Sequence, residues 1–433
     1  MTPALGRRGA VLAALALLYG AQGIPFGFAA EYLPVLLRSQ GMSRTHIAAL
    51  FWLQLPWQLK PLWAAAADHP RVRPHARALL LALQLGLAVT MAAYALFEGP
   101  EALGPWFALT ALAALLAATQ DILVDAFAVR SLSRDDRGYG NSAQIAGYRV
   151  GIIVGGGGML VLSAALGPAV TLLCCAGLIA LAGVGAFALR DEGAPSPGPV
   201  GPYRVDARVP AEAEGTPGPR GLWAMLGHVF GRGTWRVAAL AMTFKLGAHA
   251  ASGLIKPLLV DAGWSHASIG ATVVTFGTGA AVLGALGGGA LHRSLGERRA
   301  LALAAGLQAA TIVPMVAVAA LGAPHALTAA VIALEHGASG LATTVLFAAL
   351  MTATWRDRAA LHYTVLTSLN ALAIGLGGLL GAVVGDLAGN RAAFGVAAVA
   401  AAAPLFLLPG WEVAVARSAR EPKEGDAERA AGV

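Results

Sequence analysis

Charge and cysteine are both scarce in this chain. Of its 433 residues only 12% are Asp, Glu, Lys or Arg, against 57% hydrophobic, whereas a soluble domain devotes about a quarter of its residues to charge. A water-facing surface cannot be assembled from so few charged side chains, so ordinary soluble domains are excluded. The two cysteines, Cys174 and Cys175, are neighbours in an apolar run, which rules out a disulfide-stapled fold or a cysteine zinc cluster. Aromatic residues make up 7%, and they do not interleave with a basic face despite the formal net charge of +7. A nucleic-acid surface is therefore not expected. There is no HExxH and no ATP-binding motif, and short strings such as GVGAF lack the strand and glycine turn that a nucleotide fingerprint needs. Neither a cofactor, a resident metal nor a catalytic constellation is expected.

What the chain does have is long apolar runs. A helix needs about 20 residues to cross hydrocarbon with its peptide groups paired internally. Candidate spans fall at 12–36, 46–67, 77–97, 103–129, 141–165 and 168–189, then at 236–260, 267–291, 299–320, 325–353, 363–388 and 391–415. The first run is longer than a signal-peptide core and lacks a cleavage site, so it is expected to stay as a membrane helix. Between the sixth and seventh spans, PSPGPVGP and TPGPRG mark a polar linker. The expected organisation is an all-α polytopic membrane protein: a six-helix bundle over 1–189, a linker over 190–235, a second bundle over 236–416 and a tail over 417–433.

Basic residues set the orientation. With the N-terminus inside, 23 of the 30 Lys and Arg residues fall in inside segments and three (Arg38, Arg44, Arg391) outside, a bias that predicts both termini in the cytoplasm. The remaining four, Lys60, Arg149, Lys245 and Lys256, fall within spans.

Charges in hydrocarbon are expensive and therefore face a partner, a cavity or a gate. Asp121 and Asp125, spaced by four in TQDILVDAFAVR, share one face of span 4, and Arg149 in span 5 lies at a similar depth. A pair between Arg149 and either aspartate is geometrically reasonable, as a structural salt bridge or as a proton-linked pair. Glu335 and His336 occur midway along span 10, with Glu335 a candidate proton carrier. Lys60 stands near the inner end of span 2, where it either snorkels or faces the interior. Lys245, deeper in span 7, is a candidate to receive an anionic group of a ligand or to balance an acid. Glu31 and Lys256 lie near the outer ends of spans 1 and 7. Trp52, Trp57, Trp63 and Phe244 are candidates to stack on an organic ligand, with aromatic membrane anchoring as the alternative. Glycines at 155–158, 287–289, 375, 377, 378 and 381 permit close helix approach.

The residues also resemble a known family. LPWQLKPLWAAAAD around Lys60 and Asp68, and GGALHRSLGERRAL from Gly288 to Leu301, are similar to the paired loops of the major facilitator superfamily between spans 2 and 3 and between spans 8 and 9. VRSLSRDDRGYGNSAQIAGYRVG and MTATWRDRAALHYTVLTSLNALAIG, leading into spans 5 and 11, fit related halves. A narrower resemblance joins LYGAQGIPFGFAAEYLPVLLRSQGMS, QDILVDAFAVR and NSAQIAGYRVG to the branch of AmpG-like muropeptide permeases, acetyl-CoA transporters and siderophore-uptake permeases. The resemblance implies twelve helices in two halves that rock around a midplane site. It also implies roles for Gln22, Glu31, Lys60, Asp121, Asp125 and Arg149, and a cytoplasmic gate among Asp68, Arg130, Arg137, Arg293 and Arg356. The implied function is proton-coupled import of a moderately large organic solute, a siderophore first and a muropeptide second, across a bacterial inner membrane by a monomer. An efflux carrier of the same fold and a non-transporting receptor or scaffold are the alternatives. The expected partners are the solute, protons and the bilayer.

Overall fold

The computed structural model describes residues 3–33, 55–97, 103–183, 221–264 and 266–420. Among the described residues every regular element is helical. Among the described residues nine helical stretches are long and apolar enough to cross a membrane, and Pro168–Ala182 is a shorter apolar helix. The last of the nine folds back at Gly389, whose φ of 80° interrupts the helix; that left-handed conformation is one that glycine adopts without a Cβ penalty. The early part of the second expected span, before residue 55, lies outside the described residues, as does most of the expected linker.

The first set of helices comprises α1 (Pro3–Gly27), α2 (Leu55–Leu59), α3 (Pro61–Ala67), α4 (Ala76–Ala93), α5 (Leu103–Ser131), α6 (Arg137–Ile153), α7 (Met159–Leu166) and α8 (Pro168–Ala182). After a short helix α9 (Leu222–Val229), the second set comprises α10 (Trp235–Thr243), α11 (Leu246–Asp261), α12 (Thr278–Leu295), α13 (Glu297–Ala320), α14 (His325–Ala353) and α15 (Ala359–Ala402), with α16 (Trp411–Ser418) closing the described chain. Proline begins α3 and α8, where its missing N–H has no helical partner to lose.

The distribution of polarity is inside out. Leu387, Val161 and Leu283 are 83%, 76% and 72% exposed, while Gln22, Lys60, Asp121, Asp125, Lys245 and Glu335 are buried. Only a hydrocarbon solvent makes that arrangement favourable, because the apolar exterior then costs nothing and the polar groups find partners inside.

Small residues let the helices meet at backbone distance. α1 packs along α6, and α11 packs along α15. A Cβ at Gly151 would collide with the Gly20 carbonyl, and one at Gly381 would collide with that of Ala250. The two contacts are equivalents in the two sets, the first expected span of each half lying against the fifth.

Contacts between the sets gather at the arginine-rich end of the bundle. α6 meets α12 and α14, and α15 meets α3 and α5. Ser142 Oγ donates to the Ala285 carbonyl at 2.7 Å, and Asn141 Nδ2 approaches Met351 Sδ at 3.3 Å. At the same end α9 lies across α3 and α15. Its His228 Nε2 is 3.0 Å from the Ser418 carbonyl, and its ring meets that of His362 edge-on at 5.3 Å.

Candidate functional site: buried charges and an inter-helix lock

Two buried clusters sit in the spans and one lock closes the arginine-rich end. In the first cluster, Lys60 occupies the break between α2 and α3, which frees its side chain to turn inward. Its Nζ reaches Asp121 Oδ2 at 2.6 Å and lies 5.9 Å from the Trp57 ring centre. One turn further along α5, Asp125 Oδ1 accepts a hydrogen bond from the Tyr19 hydroxyl and another from Gln144 Nε2 at 3.5 Å. The aspartate pair therefore shares a face, as its spacing requires, but each member has its own donor.

The expected pairing with Arg149 does not occur. Among the described residues no ion pair joins Arg149 to Asp121 or Asp125. Arg149 instead lies in the electrostatic field of Glu335, Lys245 and His249. Depth along a span gives the height of this side chain but not its azimuth.

The second cluster centres on Lys245, which lies between α10 and α11 where span 7 is interrupted. Its ammonium donates to Gln308 Oε1 at 3.1 Å, to the Ser339 carbonyl at 3.1 Å and to Ser339 Oγ at 2.7 Å. All three donors of the ammonium are thus used, every one on a neutral acceptor. Gln308 also donates to the Phe244 carbonyl at 3.3 Å, tying the interruption to α13. Glu335 is buried beside it; His336 Nδ1 lies 2.7 Å from Glu335 Oε2, without hydrogen-bond alignment.

Phe244 does not serve as the expected ligand platform. Its side chain is fully buried in the main hydrophobic core, since the same turn that points Lys245 inward sends its neighbour into the packed interior. The aromatic residues that gather near the charges are Phe26, Trp57 and Tyr148, with ring centres 5.8 Å apart for Phe26 and Tyr148 and 6.5 Å apart for Trp57 and Tyr148. Gln22, wholly buried, lines a narrow cavity with Pro25, Phe26, Phe28 and Trp57, and neither of its amide atoms has a hydrogen-bond partner. The side chains of Glu31 and Lys256 lie outside the described residues.

The lock is built on Asp68. Its Oδ1 accepts Arg130 Nη2 at 2.8 Å and the Ala360 amide at 3.1 Å, while Oδ2 accepts the Leu361 amide at 2.9 Å. Ala360 and Leu361 stand in the first turn of α15, where backbone N–H groups have no helical acceptor and the helix dipole favours an anion. A carboxylate from the first set of helices thus caps a helix of the second. Around it, Arg356 Nη2 lies 3.4 Å from the Leu132 carbonyl, Arg293 lies 3.7 Å from Asp136, and Arg73 lies 4.0 Å from Asp357. Arg137 is buried at the start of α6. All five expected gate residues therefore stand at one end, where the two sets touch.

Several side chains that lie with the buried charges are not singled out by the sequence alone: Tyr19, Gln144, His249, Gln308 and Ser339. Gln308 left a signal, because with Thr311 it is one of two uncharged polar residues in the otherwise apolar stretch of α13. Tyr19 and Ser339 left none, their partners being 106 and 94 residues away.

Apolar helices with charges buried between them, locked at one end, define a membrane transporter of small solutes. The chain belongs to the Major Facilitator Superfamily, whose family model matches residues 11–359. Among curated proteins it is similar to an uncharacterised protein of Haemophilus influenzae, 29% identical over 377 residues that cover 84% of this chain and 85% of the relative. It is also similar to the anhydromuropeptide permease of Escherichia coli K12, 28% identical over 83% of this chain and 71% of that protein. Among solved structures, the human organic anion transporter MFSD10 aligns with a TM-score of 0.71 at 17% identity, covering 94% of this chain and 100% of that one. A bacterial homologue of the iron transporter ferroportin in its outward-facing state aligns with a TM-score of 0.67 at 16% identity, covering 94% and 99%. These structures share the fold.

Proposed function

We propose that this transporter is a proton-coupled importer of a muropeptide-like solute, working by alternating access in a bacterial inner membrane. The observation that carries the reading is the placement of the buried charges. Asp121 is paired with Lys60, Asp125 accepts from Tyr19, and Glu335 is buried beside His336, while the two sets of helices that carry these acids are bridged at the arginine-rich end through Asp68. The basic bias of the sequence makes that end cytoplasmic, so the lock at Asp68 closes the inner side and the solute enters from outside.

The similarity to the anhydromuropeptide permease moves a muropeptide ahead of a siderophore as the solute. Protonation removes the cost of carrying a carboxylate between a hydrated and a packed environment. Glu335, in the second half, and Asp125, whose donor is a neutral hydroxyl, are the proposed carriers. Lys60 pairs with Asp121 at 2.6 Å and is assigned to structure and gating.

The test is uptake into proteoliposomes of anhydromuropeptide and of ferric siderophores, with and without an inward proton gradient. We expect gradient-stimulated accumulation of the muropeptide. Glu335→Gln should retain exchange of labelled for unlabelled solute and lose accumulation. Accumulation driven only by an outward-directed solute gradient, with no effect of protons, would sink the coupled-import reading in favour of efflux. Binding without any exchange would leave a receptor.

A further inference from the structure

The buried charges of the second cluster do not balance. Lys245 is 2% exposed, its three donors end on neutral oxygens, and among the described residues no carboxylate forms an ion pair with it. Arg149 on α6 shares its field, and both cations face one acid, Glu335. His249 lies near the same two cations, and His336 flanks Glu335 on its own helix. Lys245 is therefore a buried cation without a carboxylate partner, in a place where an uncompensated charge is costly.

The residue beside Arg149 is aromatic. Tyr148 closes the aromatic group with Phe26 and Trp57, next to the unpartnered amide of Gln22. α6 thus carries a cationic pole and an aromatic, amide-bearing pole on consecutive residues.

Building on the transport reading above, we infer that the solute is an organic anion held at two poles, its carboxylate on Arg149 and a ring-bearing neutral body against Phe26, Trp57 and Tyr148 with Gln22 supplying hydrogen bonds. The division of labour between the cations follows from their donors. Arg149 has a planar fork suited to bidentate contact with a carboxylate. Lys245 has no donor to spare, so it acts as a positioning residue whose field holds the anion and whose hydrogen bonds brace the interrupted span. Gln22 has two unmet hydrogen-bonding atoms in an apolar cavity, a defect that a bound amide or hydroxyl would repair.

The experiment is equilibrium binding to the full-length protein in nanodiscs, using two matched pairs of probes. One pair is an anhydromuropeptide and the same molecule with its carboxyls converted to primary amides. The other is N-acetylphenylalanine and N-acetylphenylalanine amide, which present the same two poles without the muropeptide skeleton. We expect each acid to bind at least tenfold more tightly than its amide, and Arg149→Gln to bring the ratio to within twofold. Arg149→Lys, which keeps the charge and loses the fork, should leave a ratio between these, with unchanged thermal unfolding showing that the fold is intact. Gln22→Leu should weaken acid and amide alike. Acid selectivity with N-acetylphenylalanine but no muropeptide binding would support the anion site and overturn only the muropeptide reading. Equal binding of acid and amide in both pairs, or selectivity that survives Arg149→Gln, overturns the inference while leaving transport of the muropeptide in place. Failure of all four probes to bind overturns both.

Discussion

Asp68, in the first set of helices, accepts the backbone amide of Leu361, in the second, at 2.9 Å. The carboxylate takes the Ala360 amide and the Arg130 guanidinium as well, so one side chain joins the turn after α3, the end of α5 and the start of α15. Charge-assisted hydrogen bonds of this kind are worth about 1.5–3 kcal/mol each. Replacing the carboxylate with an amide therefore has a global effect.

In Asp68→Asn the closed arrangement of the arginine-rich end should lose at least tenfold in population, since a shift of ~1.4 kcal/mol is enough for that. Distances between spin labels at Ser133 and Asp357, with Cys174 and Cys175 replaced by alanine, report the change. A distance distribution identical to that of the parent would mean that the lock carries no weight.

Lys60→Met removes the cation from a buried carboxylate. The unpaired Asp121 should cost about 3–5 kcal/mol and lower the unfolding temperature in detergent. Adding Asp121→Leu should recover most of the loss, because an apolar pair of similar size replaces a buried ion pair at little cost. If the double variant is as unstable as the single one, Lys60 stabilises through something other than its pair.

Gly151→Leu places a side chain on the Gly20 carbonyl, where no rotamer relieves a collision that begins at Cβ. α1 and α6 must separate, and folded protein recovered from membranes should fall severalfold. Gly157→Ala, at a glycine with open space around it, is the matched control and should be tolerated.

His228 provides a pH-dependent element outside the membrane spans. Burial pushes its imidazole below the ordinary histidine value, opposed by its hydrogen bond to the Ser418 carbonyl. A pKa lowered on docking means that proton binding favours the undocked helix. Docking of α9 should be complete above about pH 6.5, the ordinary value, and weaken as the pH falls below it. Hydrogen exchange of α9 amides at pH 7.5 and 5.5 measures this, with His228→Gln removing the pH dependence.

The spans and the identity of the interior charges were legible because hydrocarbon imposes a strict rule on each residue: pair the peptide, hide the charge. Asp121 and Asp125 declared themselves by a spacing of four, and Asp68 by its loop. The choice of partner was not legible. Lys60 and Asp121 are 61 residues apart, and span arithmetic gives the height of a side chain without its bearing around the helix. That is why Arg149 is expected beside acids at its own depth but forms no ion pair with them, and why Phe244 is expected beside a ligand but lies in the core. Azimuth is decided by which helix packs on which, a property of glycine pairs such as Gly20 and Gly151 that only contact reveals.

The interruption of span 7 at Phe244 and Lys245 bears on how a membrane helix can bend at all. In hydrocarbon a peptide group that loses its partner has no water to turn to, and so most helices there are stiff. Here the Phe244 carbonyl already rests on Gln308, and the Lys245 ammonium is anchored on Gln308 and Ser339. The joint can therefore change angle while side chains from two neighbouring helices keep its polar atoms company, as a mortise holds a tenon that is free to tilt.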